Sequence, residues 1–134
     1  MLDCDSSAVL ELLDVSLISL IEACTLGIFS DEVDYIPIKD LSATSLVLNC
    51  NYKDAKDNVI FGLDAIDDDI IKDFYSSVVK NKYLEYEAKN GPVAVLTAVA
   101  RTNTTSTQKV YEEAKGINYN GITYRKDLCK PYEI

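Results

Sequence analysis

The chain has 134 residues, a net charge of −9 from 22 acids and 13 bases, and no histidine. The missing imidazole removes the commonest general base, the usual partner of a Ser or Cys nucleophile and the commonest metal ligand, leaving Lys, Tyr, Asp or Glu for any acid–base work. Duplex DNA or RNA is a poor partner, since its phosphates would meet a strongly negative protein.

The length fits one globular domain, residues 1–134, large enough to bury a core without disulfides or metal. No apolar run is long enough to span a bilayer. The longest apolar region, Ala8 to Phe29, carries Glu11, Asp14 and Glu22, which are costly in lipid. Met1-Leu2-Asp3-Cys4-Asp5 lacks the basic segment of a secretory signal, so an intracellular, cytoplasmic protein is expected. Cys4, Cys24, Cys50 and Cys129 show no C-x-x-C spacing and are expected to be reduced thiols. Charge is divided unevenly. Residues 1–75 hold 16 acids and 4 bases, a balance of −12, whereas residues 76–134 hold 6 acids and 9 bases, a balance of +3.

In chain order, Ser6 or Ser7 can cap a first helix running from about Ala8 to Cys24. It is apolar around most of its circumference, so a buried core helix is expected in preference to an oligomer interface. Gly27 ends it, and an acidic loop follows from Ser30 to Asp34. Val33 to Ile38 reads as a short strand, which Pro37 makes an edge strand or an irregular one. Ser45 to Tyr52 alternates apolar and polar residues as a half-buried strand does, and with Val59 to Leu63 it reads as a hairpin across the polar loop 53–58.

The stretch from Asp64 to Pro92 carries the spacing of a long helix. Ile70, Phe74 and Val78 fall four apart, and Ile71, Tyr75, Val79 and Tyr83 form the neighbouring row. Asp67 or Asp68 can cap it, Asp67 to Asp69 suit its positive end, and Lys80, Lys82 and Lys89 its negative end. Asn90-Gly91-Pro92 stops it. Val93 to Ala100 then fits a central strand covered on both faces, with a helix as the alternative. Thr105 with Gln108 matches a capping box for a helix reaching Lys115, with Gly116 as its stop. Asn120-Gly121 marks a hairpin between Ile117–Tyr119 and Ile122–Tyr124. The expected fold is α+β, a mostly antiparallel sheet with about three helices, in the order α-β-β-β-α-β-α-β-β, with the helices on one face.

Candidate sites are few. Asp64, Asp67, Asp68, Asp69 and Asp73 cluster, but calcium needs about six to eight oxygens from acids at alternate positions around a Gly bend, so no metal is expected. With Asp31, Glu32 and Asp34, the cluster instead suggests an acidic patch that steers a basic protein, with Tyr83 and Tyr86 as contact residues. Arg101, Thr104, Thr105, Ser106 and Thr107 sit between a strand and a helix N-terminus, where an anion or nucleotide can bind; the loop lacks the glycine and the Lys-Ser/Thr of a phosphate loop. Asn90-Gly91-Pro92-Val93-Ala94-Val95 resembles a short segment of papain-like peptidases. No Cys stands in the context such an enzyme needs, and its His is missing. The leading expectation is a non-enzymatic protein-binding domain of the inhibitor, immunity or assembly-factor kind, with no cofactor and a basic protein partner. The alternatives are a subunit of a homo-oligomer and an anion- or nucleotide-binding module.

Overall fold

The structure, a computed structural model, describes residues 4–28, 35–53 and 56–129, with side chains from Ser6 onward. The chain runs α1 (Cys4–Leu12), α2 (Leu17–Leu26), β1 (Ser42–Cys50), a short 3-10 turn (Leu63–Ala65), β2 (Ile71–Phe74), β3 (Val79–Lys80), β4 (Tyr86–Glu87), β5 (Gly91–Ala100), α3 (Asn103–Gly116) and β6 (Ile122–Tyr124). The class is α+β: three helices, a four-stranded antiparallel sheet in the order β2-β5-β1-β6, and a small β3–β4 sheet.

β1 and β5 form the centre, and their residue patterns explain why. Along β1, Thr44, Leu46, Leu48 and Cys50 are buried and the residues between them half-buried. Along β5, every residue from Val93 to Ala98 is buried. Leu46 pairs with Leu96 and Leu48 with Ala94, on the face where Val110 and Ala114 of α3 join the core. Val47 pairs with Val95 and Ser45 with Thr97 on the opposite face, which α1 covers. The buried Thr97 hydroxyl is satisfied by Ser45 Oγ at 2.7 Å. The register skips between Leu48 and Asn49, so Val93 has no partner on β1 and turns into the core. The helices therefore do not share one face. A central strand that is apolar on both sides needs cover on both.

The long helix expected from Asp64 to Pro92 does not form. Ile71–Phe74 instead adds to the edge of β5, and Val79–Lys80 and Tyr86–Glu87 make a hairpin. Two causes are visible. The stretch is rich in β-branched and aromatic residues, which suit a pleated surface. Asn81, which would sit mid-helix, closes the hairpin instead: its Oδ1 accepts from the backbone N–H of Tyr83 (2.9 Å) and Glu85 (3.0 Å).

The first helix is broken in two. Asp14 N–H donates to the Pro37 carbonyl (3.0 Å), Lys39 N–H donates to the Leu12 carbonyl (2.8 Å), and Leu13 bridges Ile38. This pairing holds Leu13 extended, and α2 starts afresh after Ser16. Of the expected strand Val33–Ile38, Val33 and Asp34 lie outside the described residues, and Ile38 contributes the bridge.

Two expected hairpins are also rearranged. β1 pairs with β5 and β6, not with Val59–Leu63; Val59 bridges Glu87 and Phe61 bridges Asn118. The Asn120-Gly121 turn forms, with Gly121 at φ 78°, but Ile122–Tyr124 pairs with β1. Asn58 accounts for both changes. It is 2% exposed, and its side chain accepts from Asn120 N–H (2.8 Å) and donates to the carbonyls of Asn120 (3.0 Å) and Ala88 (3.3 Å). One buried amide thus ties the loop after β1 to the β4–β5 connection and to the turn before β6. Gly62, at φ 88°, lies against α3: a Cβ there would sit 2.1 Å from the Gly116 carbonyl oxygen.

Candidate functional site

α2 is the anomaly of the molecule. Its sequence, LISLIEACTL, is among the most apolar in the chain, yet none of its residues is buried. The expectation of a core helix is corrected accordingly. Of the 16 large apolar side chains exposed among the described residues, ten lie between Val9 and Leu41. Ile18 is 69% exposed, Leu26 72% and Ile38 70%. The Leu13–Ile38 pairing accompanies this arrangement: it ends α1 at Leu12 and separates α2 from it. Among the described residues, no helix is long and apolar enough to cross a membrane.

The expected acidic patch is reached only in part. Asp31, Glu32 and Asp34 lie outside the described residues. Asp64, Asp67, Asp68 and Asp69 are all exposed in the segment that leads into β2. Lys109 Nζ meets Asp69 Oδ2 at 2.9 Å, and that ion pair holds the Asp69 carboxyl below its ordinary range. Asp67 is pushed the other way, by its hydrogen bond with Asp69 and then by that neighbour's charge. Asp67 N–H donates to Glu113 Oε2 at 3.2 Å, so the cluster is tied to α3. Asp73 sits apart on β2, where Ser7 Oγ donates to it across a long 3.5 Å. Among the described residues, no group of three or more His, Cys, Asp or Glu is arranged to hold a metal ion.

Tyr83 and Tyr86 lie on the β3–β4 hairpin with different roles. Tyr83 is exposed at the tip, with Lys82 Nζ 4.9 Å from its ring centroid. Tyr86 is half-buried, stacked on Phe74 at 4.9 Å, with Lys80 Nζ 4.8 Å from its ring. Tyr86 and Asp64 line a cleft of about 300 Å³ between the hairpin tip and the segment Val59–Asp64. Phe61, Leu84 and Glu85 also line it, and they were not singled out in the sequence. The one local signal for them was Asn81, whose side chain favours a turn and brings Leu84 and Glu85 to its end.

The Arg101–Thr107 loop is largely occupied by the fold. Thr102, not Thr105, caps α3, accepting from Thr105 N–H at 3.2 Å. Ser106 and Thr107 are buried and share Thr44 Oγ1 at 2.7 and 3.2 Å. Thr107 Oγ1 also donates to Cys129 Sγ at 3.1 Å. Arg101, Thr104 and Thr105 are exposed, so the five residues do not converge on one point outside the protein. Cys24, Cys50 and Cys129 are free thiols.

No protein-family model matches the chain, and no curated protein matches it closely enough to be a relative.

Proposed function

We propose that the protein is a non-enzymatic binding domain that engages a basic protein through the helical arm formed by α2. The observation that supports this reading is α2 itself: seven of its ten residues are apolar, and none of the ten is buried. Exposed apolar surface concentrated in one element is a common mark of an interaction site. The charge around it selects the partner. Among the described residues of 9–41 the acids are Glu11, Asp14, Glu22 and Asp40, against Lys39 alone. Two copies meeting face to face would bring the same acids together, which disfavours a symmetric dimer through this surface. A partner with an apolar patch and a basic rim is complementary in both respects: burial supplies affinity, and the acids set association rate and specificity.

The test combines two measurements. Light scattering on a sizing column, at low and at high salt, should give the mass of a monomer for the isolated protein. Affinity capture, with the bound protein identified by mass spectrometry, should yield a basic protein released by salt and lost from an Ile18→Ser/Ile21→Ser variant. A stable homo-oligomer abolished by the same substitutions would replace this reading with self-assembly.

A further inference from the structure

The cleft between the β3–β4 tip and the segment Val59–Asp64 shares no residue with the helical arm, and it is built to stay open. Ile60 N–H donates to the Tyr86 carbonyl at 2.8 Å, and Phe61 and Asn118 exchange two backbone bonds of 2.9 and 3.0 Å. Gly62 is pressed against Gly116. On the other wall, Asn81 fixes the tip through Tyr83 N–H and Glu85 N–H, and its Nδ2 donates to Glu85 Oε2 at 2.9 Å. Framing of this kind lets a ligand bind without first ordering the site.

Two features of the rim call for a ligand. Phe61 is 64% exposed and Leu84 76%, an apolar pair with no protein cover. Leu84 is also held at φ 65°, a left-handed conformation that a leucine rarely adopts. Strain kept at an exposed apolar residue, where Gly or Asn would fit without cost, points to a use for the side chain. The charged residues lining the cleft, Asp64 and Glu85, are both acids. The hairpin's own cations, Lys80 and Lys82, sit on the rings of Tyr86 and Tyr83 and do not line it.

We infer that the cleft receives an arginine or lysine side chain from an extended segment of the partner. The aliphatic stem lies between Phe61 and Leu84, and the charged head meets the carboxylates of Asp64 and Glu85. A long cationic side chain matches both halves of such a site, because its methylenes cover apolar surface while its head stays with charge. This inference rests on the partner being basic, and adds a second, separate point of contact with it.

The experiment is an NMR titration of the whole chain with the capped pentapeptide Ala-Leu-Arg-Leu-Ala and with its citrulline analogue, which keeps the shape and loses the charge. Shifts are expected at the amides of Phe61 to Asp64 and Leu84 to Tyr86. The citrulline peptide should bind about tenfold more weakly, since hydrogen bonds between charged partners are roughly twice as strong as neutral ones. Asp64→Asn/Glu85→Gln should reproduce that loss with an unchanged spectrum elsewhere. Leu84→Gly should weaken binding several-fold without lowering the melting temperature, because glycine relieves the left-handed backbone. Absence of shifts at millimolar peptide, shifts elsewhere, or equal binding of the two peptides would overturn the inference. The arm variant Ile18→Ser/Ile21→Ser should bind the peptide normally, so failure of the cleft and failure of the arm are read separately.

Discussion

β5 and α2 are both about ten residues long and both strongly apolar, and they end in opposite places. From Val93 to Ala98 nothing of β5 reaches solvent, whereas α2 buries no residue. The difference does not lie in their compositions. β5 has neighbours on both edges, β1 and β2, and helices over both faces. α2 is reached through a short extended pairing, Leu13 with Ile38, which leaves it outside that arrangement. Apolar content therefore states that a segment needs cover. It does not state whether the cover comes from the same chain.

Paired substitutions test this contrast most strongly. Leu96→Ala, at a side chain 1% exposed, should cost about 2–5 kcal/mol in a urea melt, as large-to-small changes in packed cores do. Ile18→Ala on α2 should stay within about 0.5 kcal/mol of the parent, as for exposed positions. A large loss at Ile18 would mean that α2 is packed on the domain after all.

Asn58→Ala tests whether the sheet half is held by polar as well as apolar contacts. It removes the Asn58 partner of the Asn120 N–H and of the Ala88 carbonyl in a buried site, and leaves the Asn120 carbonyl with the Cys50 thiol as donor. The expected cost is about 2–3 kcal/mol, read from the same melts, with nothing lost by the arm. A neutral result would mean that water replaces the amide fully.

The smallest expected effect is a pH dependence carried by Tyr119 in the sheet half. Tyr119 is 4% exposed, and its hydroxyl donates to the Asn49 carbonyl at 3.0 Å. Burial, and secondarily the neighbouring Cys50, raises its pKa far above the ordinary tyrosine range. The unfolded chain ionises there near pH 10, so this contribution is whole below about pH 10 and lost as pH rises beyond it. Tyr119→Phe should cost about 1 kcal/mol at neutral pH and flatten the alkaline limb of the stability curve. An unchanged alkaline limb would assign the loss to other groups.

Parts of this were legible in the residues. The alternation in Ser45–Tyr52, the unbroken apolar run Val93–Ala100 and the helix ending at Gly116 each report a local period or a local stop, and each is found. The helix expected from Asp64 to Pro92 shows the limit of that signal. Residues four apart share a face in a strand as well as in a helix, so Ile70, Phe74 and Val78 fitted both. The open edge of β5, which Ile71–Phe74 fills, was decisive and was not encoded locally. The candidate site was less legible still. Asp64 and Tyr86 were singled out for charge and aromaticity, but Phe61, Leu84 and Glu85 become neighbours only through pairing with Asn118 and through the Asn81 turn.

The sequence by itself determined the α+β class, the two central strands, the C-terminal helix and the acidic first half, because these depend on local periodicity, on stop residues and on counts of charge. Only the tertiary structure decided that the first apolar helix is split and its second part, α2, left uncovered, that the stretch after Asp64 joins the sheet, and that two acids and two exposed apolar residues frame one cleft. Those outcomes turn on which backbone edges and buried amides find each other across the chain, and a contact between distant residues leaves no period in the sequence.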